Sequence, residues 1–468
     1  MQKLFLSFII SLIFYGNLSA QTELYNTISK TDKIYGLSKF WKEANSNFVY
    51  INKINKQKWE SDYISLIEKV QETKNDYEYY RLLQKFCASL KDGHTNVWMP
   101  KAMREELICD GEFGNYRLFL KNIDGKAIIT RVNLSKKQEI PIGTEILEVN
   151  GVSVKEYTNK FLKPYISTSS EHILENRSIS ELLKAPVGTE FYLKLRKPNN
   201  SLVNLKLTSK KVAEKEVYPS FIKRELLDFK WVDNEIAYVS LNSFENLKID
   251  SLFVDKLPEI KKAKKLIIDL RYNGGGNSNI GLQILKYLTY DDELEKLKSS
   301  SRLHIPTFKA WGLIYKLEAK DTLQGTKENI KLLSQAYLTT KDSYFYNFPY
   351  SLKKNEIDKS ERIVIPTVLL IGNNTASAAE DFLVSADNQK HMTKIGEPTY
   401  GSTGQPMFFD LPGGATGRIC TKKDTYPDGR EFVGYGVQPD VMVKKTYLDY
   451  INDKDSVLDE AIKYLNIE

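Results

Sequence analysis

The sequence predicts an α/β protein with a helical N-terminal part and a β-rich middle, and three observations carry that reading. From about residue 225 onward, apolar strand-like runs alternate with helical ones, the pattern of an α/β core. Residues 110–212 instead hold short β-type runs separated by turns. Residues 22–92 place Leu37, Phe40 and Trp41, then Tyr63, Leu66 and Ile67, at three- and four-residue spacing. A chain of 468 residues that is 41% hydrophobic and 27% charged has room for two or three such cores. The expected division is a targeting segment over 1–20, a helical domain over 21–109, a β-rich module over 110–212 and an α/β core over 213–468, interrupted at 291–363.

The first twenty residues have the layout of an export signal. Lys3 supplies the positive start, Leu4–Tyr15 an apolar stretch too short to span a bilayer, and Asn17–Ala20 a polar exit ending in a small residue. No cysteine follows the stretch to take a lipid. An exported protein, periplasmic or extracellular and soluble once the signal is removed, is therefore expected. The net charge of +7 comes from scattered lysines rather than a basic stripe, so nucleic acid is not an expected partner. Cys87, Cys109 and Cys420 are an odd number and form no disulfide framework. His94, His172, His304 and His391 are far apart, with no CxxC or HExxH pattern, and neither a metal nor an organic cofactor is expected.

In chain order, the helical region ends in Ser89–Trp98, where Asp92 and Gly93 mark a turn just before His94. A lone histidine is most often structural. In the β-rich module, Pro141–Val154 contains a strand followed by Asn150-Gly151, a hairpin signal, and a helical stretch lies around Ile179–Lys184. Modules of this kind bind extended peptides at a sheet edge or act as rigid spacers, and the residues leave both readings open. In the α/β part, Ile236–Leu241 reads as a strand and Lys265–Arg271 as a buried one running into Asn273, Gly274, Gly275 and Gly276, with a helix at Asn279–Leu288. Three glycines at that point mean close approach of the backbone or positive φ. Neither GxGxxG nor GxxxxGK[ST] is present, and a backbone N–H aimed at an oxyanion fits better than a phosphate cradle. Asp291–Ile363, charged and aromatic, is either a cover for the site or a surface embellishment.

Val364–Gly372 is a further buried strand, bounded by Asn373 and Asn374, and Ala376–Gln389 carries Ala379, Phe382, Leu383 and Ala386 at helical spacing. Ser377 falls at this strand-to-helix turn, where free backbone N–H groups and the helix dipole favour negative charge. A serine there either caps the helix or attacks a carbonyl, and the local residues allow both.

Taken together, "DGHT", "GTEILEVNG", "LIIDLRYNGGG", "TASAAE", "IGEPTYGSTG" and "GYGVQPDV" occur in that order, from about Leu37 to Val441. This order resembles the C-terminal processing and tricorn-like serine peptidases, also called tail-specific proteases. The resemblance implies a β-α-β spiral core of the ClpP/crotonase type with an inserted PDZ-like module that recognises peptide ends. It implies that Ser377 is the nucleophile, that Ala378 and Gly274 or Gly275 supply oxyanion N–H groups, and that the substrate is a peptide or protein. In the processing branch the base is a lysine in a "T-x-G-K-G"-like stretch. Here Thr399–Gly404 has Ser402 at that place, and a hydroxyl cannot replace an amine as base. The tricorn-like branch uses a histidine matched by His94, whose ordinary pKa suits proton shuttling near neutrality. Two positions depart from that branch: Gly93 stands where a serine precedes the histidine, and Glu431 is the nearest acid to the segment that supplies an orienting glutamate. The resulting expectation is an exported serine endopeptidase or carboxy-terminal processing peptidase. A peptide-binding pseudopeptidase and an esterase using the same residues are the alternatives.

Overall fold

The computed structural model describes residues 25–467, so the targeting segment expected over 1–20 lies outside the described residues. The N-terminal part folds into α1 (Lys30–Asn47), α2 (Lys56–Gln71) and α3 (Asp76–Ala88). Each starts at a side chain that accepts a hydrogen bond from a first-turn N–H: Ser29, Asn55 and Asn75. Their apolar faces meet in one cluster in which Trp59 stacks on Phe86 with ring centroids 3.9 Å apart. After α3 the chain turns through Asp92–Thr95 into the short strand β1 (Asn96–Trp98).

The middle of the chain is an antiparallel sheet of β2 (Leu118–Ile123), β3 (Lys126–Asn133), β4 (Glu145–Val149), β5 (Glu190–Arg196) and β6 (Leu202–Thr208), with small additions from Val152–Ser153 and Val217–Tyr218. Asn150 and Gly151, at φ 51° and 79°, make the tight turn that their dipeptide predicts. The helix of this region, α4 (Glu171–Ser180), lies N-terminal to the stretch predicted around Ile179–Lys184. Leu182 and Leu183 do point into the module's core, but from a chain that has already turned to pair Lys184–Pro186 with Ile108–Asp110. Strand pairing overrides helical spacing there. A second helix, Val154–Phe161, is started by the Ser153 side chain.

The C-terminal half is built on a six-stranded sheet. Its members are β7 (Leu227–Trp231), β8 (Ile236–Leu241), β9 (Lys265–Asp269), β10 (Thr367–Ile371), β11 (Met392–Gly396) and, after the hairpin β12 (Pro406–Leu411) and β13 (Ala415–Cys420), β14 (Val441–Met442). The order is β7-β8-β9-β10-β11-β14, with β7 antiparallel and the rest parallel. Helices α5 (Lys248–Ile260), α6 (Ser278–Lys286) and α7 (Ala378–Ser385) make the crossovers, and α8 (Ser456–Ile467) closes the opposite face. Leu266, Ile268, Leu369 and Ile371 pack on the crossover side, while Ile267, Val368 and Leu370 pack under α8. Burial on both faces explains why β9 and β10 read as continuous apolar runs. The β12–β13 hairpin leaves this unit, pairs with β1 and sends Leu411, Ala415 and Ile419 into the helical cluster. The 291–363 segment has strand Lys298–Arg302 paired with Lys423–Thr425 and the helices Pro306–Ile314 and Lys327–Thr340.

Candidate active site

The two central strands end side by side, and their turns form one structure. After β9, Asn273 donates from Nδ2 to the Leu241 carbonyl at 3.0 Å, accepts the Gly275 N–H on Oδ1 at 3.0 Å, and takes the Ala376 N–H on its own carbonyl at 3.0 Å. After β10, the Thr375 hydroxyl donates to Leu270 O at 2.9 Å, tying the second turn to the first. Between them Ser377 sits at φ 54°, ψ −120°, a left-handed conformation that a non-glycine residue adopts only when its surroundings impose it. Gly275 is what its neighbour needs. A Cβ there would stand 2.8 Å from the Ser377 Cβ and 2.9 Å from the Ala378 nitrogen, and its φ of 102° is itself a glycine value. The result is a partly exposed serine at the N-terminus of α7. The N–H groups of Ala378 and Gly274 have no hydrogen-bond partner among the described residues, whereas that of Gly275 is taken by Asn273.

Glu380, one turn into α7, joins this corner to the loop 399–402. It is fully buried, and its Oε2 takes the Ser377 N–H at 3.0 Å and the Ser402 N–H at 3.2 Å. Its Oε1 takes the Gly401 N–H at 2.7 Å and the Thr399 hydroxyl at 2.5 Å. Burial pushes this carboxyl up to about 7 against the pull of those four donors. The adjacent Asp381 is also pushed up to about 7, by burial and by the nearby Asp424. It accepts from the Ser278 and Thr403 hydroxyls.

His94 reaches the same loop from the helical side. Its Nδ1 lies 2.5 Å from the Ser402 hydroxyl. Burial, then the charges of Arg418 and Lys422, lower its pKa to about 4, so the ring is neutral at physiological pH and able to accept a proton. Two further segments hold its turn. The Gly93 N–H donates to Ser169 Oγ at 3.0 Å, Ser169 Oγ donates to Asp92 at 3.3 Å, and an Arg418 guanidinium nitrogen donates to the Gly93 carbonyl at 3.0 Å. The middle module adds two further bonds: Ser170 Oγ donates to Tyr400 O at 2.8 Å, and His172 Nε2 donates to Thr399 O at 2.8 Å.

Ser377, Ala378, Gly274 and Gly275 thus share one corner, and His94 is bonded to a loop that hangs on the same carboxylate oxygen as the Ser377 N–H. Glu431 gives its two oxygens to Lys53 at 2.9 Å and Lys423 at 2.5 Å. Glu380 had no role in the sequence reading, although its signal was present: a serine followed three residues later by glutamate at a helix start is the capping-box pattern. The Ser402–His94 contact had no local signal at all, because its partners are 308 positions apart. Among the described residues no group of three or more His, Cys, Asp and Glu side chains could hold a metal ion.

The model of peptidase family S41 matches residues 235–443 of this chain, a span that contains both turns. The carboxy-terminal processing protease CtpA of Bacillus subtilis is 23% identical over 422 residues, covering 87% of this chain and 73% of that protein. A carboxyl-terminal-processing protease of a Picosynechococcus species is 21% identical over 428 residues, covering 90% and 86%. The structure of mature CPAF complexed with lactacystin has the same fold at a TM-score of 0.64 and 16% identity, covering 94% of this chain and 99% of that one. The family S41 match over residues 235–443, with two carboxy-terminal processing proteases as relatives, supports a serine-type peptidase.

Proposed function

We propose that this chain is an exported serine peptidase with Ser377 as nucleophile and His94 as general base. Ser377 Oγ attacks the scissile carbonyl while its proton passes to the histidine, which then protonates the leaving amine. The N–H groups of Ala378 and Gly274 hold the oxyanion, that of Gly275 being engaged by Asn273, each worth about 3–4 kcal/mol to the transition state. The parallel sheet with its crossover helices is read as the β-α-β spiral core over 213–468, and the sheet of 110–212 as a PDZ-like module that recognises a peptide. The observation that carries this reading is the strained Ser377 backbone beside Gly275, with unbonded N–H groups at Gly274 and Ala378. A helix cap needs no such conformation. Among the described residues no helix is long and apolar enough to cross a membrane.

Ser377→Ala is expected to lower peptide hydrolysis by at least ~10⁴-fold and to abolish labelling by a serine-reactive phosphonate, with an unchanged unfolding transition. Labelling that persists in this variant removes Ser377 from the mechanism. A second reading, a peptide-binding protein without turnover, draws on Ser402, which puts no amine beside the nucleophile and gives His94 a hydroxyl rather than a carboxylate partner. Tight peptide binding with no hydrolysis, unchanged by Ser377→Ala, would select it.

A further inference from the structure

Ser402 is fully buried, and among the described residues His94 Nδ1 is the only hydrogen-bond partner of its hydroxyl. The close approach leaves no room between the two turns: a Cβ on Gly93 would stand 2.8 Å from Ser402 Oγ and 3.0 Å from its Cβ. Gly93 and Ser402 are therefore a matched pair, one lacking a side chain where the other's hydroxyl comes in. The backbone of Ser402 is in turn fixed on Glu380, beside the Ser377 N–H. Burial and the charges of Arg418 and Lys422 disfavour a proton on the ring.

We propose that Ser402 is a positioning residue for His94, holding Nδ1 so that Nε2 is the nitrogen left for the reacting serine. This rests on the reading of Ser377 and His94 as nucleophile and base. A hydroxyl can donate or accept, so it bonds Nδ1 in either neutral tautomer. With a proton on Nδ1 the ring donates to Ser402 Oγ and Nε2 is free to take the Ser377 proton. Once that proton has moved, the imidazolium still donates from Nδ1 to the same oxygen, and the bond strengthens because the donor is now charged. Proton count is conserved throughout: one proton leaves Ser377 Oγ, arrives on Nε2 and later departs with the leaving amine. Ser402 itself stays neutral and exchanges none.

The test is Ser402→Ala in the full chain, read by kinetics, by imidazole nitrogen NMR and by a double-mutant cycle with His94→Ala. Positioning predicts that kcat falls about 10–100-fold with KM within about twofold, the loss expected from a hydrogen bond to a charged group. It also predicts that the Nδ1 resonance of His94 shifts toward that of an unbonded nitrogen and that Ser402→Cys recovers part of the activity. In the His94→Ala background Ser402→Ala should cost nothing further. Wild-type kcat with an unshifted resonance overturns the proposal, and so does a further loss of about tenfold without the histidine, which would make Ser402 merely structural. The underlying reading fails separately, by full activity in Ser377→Ala or His94→Ala.

Discussion

The turn that carries Ser377 and the turn that carries His94 are held by opposite means. The first is made by its own surroundings in one sheet: two adjacent parallel strands, the Asn273 carbonyl taking the Ala376 N–H between their turns, and Gly275 giving way to a serine at positive φ. The second has local bonds, Asn96 Nδ2 donating to Gly93 O at 2.8 Å and the Thr95 N–H to Asp92 O at 3.4 Å, but it also leans on distant segments. It stands where Ser169 of the middle module, Arg418 of the hairpin and Ser402 of the core converge on Asp92–His94. On the proposed roles, a turn that carries the nucleophile is strained and needs rigid local support, whereas the base can be brought in from elsewhere once a loop exists to receive it. Glu380 is the point at which the two meet, since one oxygen holds Ser377 and Ser402 together.

Apart from loss of Ser377 itself, the largest expected effect tests the self-sufficiency of the first turn. Gly275→Ala puts a methyl 2.8 Å from Ala376 O and from the Ser377 Cβ in a backbone at φ 102°. Hydrolysis should fall by about 10³-fold, as when oxyanion geometry is lost, while the sheet still unfolds cooperatively. Near-wild-type kcat/KM would show that the serine's conformation does not control the chemistry.

Glu380→Gln acts on the joint. Its carboxyl is raised from 4.5 to about 7 in the folded protein, so the folded state binds the extra proton between those values. The group's stabilising contribution is complete below pH 4.5 and is lost as pH rises through about 7. Relative to Glu380→Gln, the wild type should lose on the order of 3 kcal/mol across that interval, measured by denaturant unfolding at several pH values. Asp381 titrates in both proteins and cancels. Parallel curves would mean that the carboxyl is solvated and that the two turns are not joined through it.

The smallest effect concerns the second turn. With His94 lowered to about 4, its ring stays neutral well below the ordinary range, as the proposed base must. The limb of kcat/KM that belongs to the histidine should therefore lie near pH 4, with little loss from this group between pH 7 and 5. A limb centred near 6.5 that vanishes in His94→Ala would show an open, hydrated ring, and so a base turn less enclosed than the contacts with Ser402 and Arg418 describe.

Much of this was legible in the residues. Strand Ile236–Leu241 appears with the bounds its pattern predicts, and the apolar runs around Ile267 and Leu369 are the central pair of the sheet. The glycine run and the "TASAAE" segment are local signals because positive φ and a helix start are local requirements. The helix expected at Ile179–Lys184 was displaced because strand pairing at Lys184–Pro186 competes for the same residues, and spacing alone cannot weigh a partner from position 108.

By itself, then, the sequence determined the central strands, the strand-to-helix turn at which Ser377 falls and the chemistry a serine and a histidine can perform. These follow from side-chain periodicity and backbone preference within a few residues. Only the tertiary structure decided that His94 meets Ser402, that Gly93 must lack a side chain, that Glu380 binds both turns and that Glu431 pairs with Lys53 and Lys423. Those are contacts between distant segments, and burial, which makes each polar pairing matter, exists only once the segments have come together.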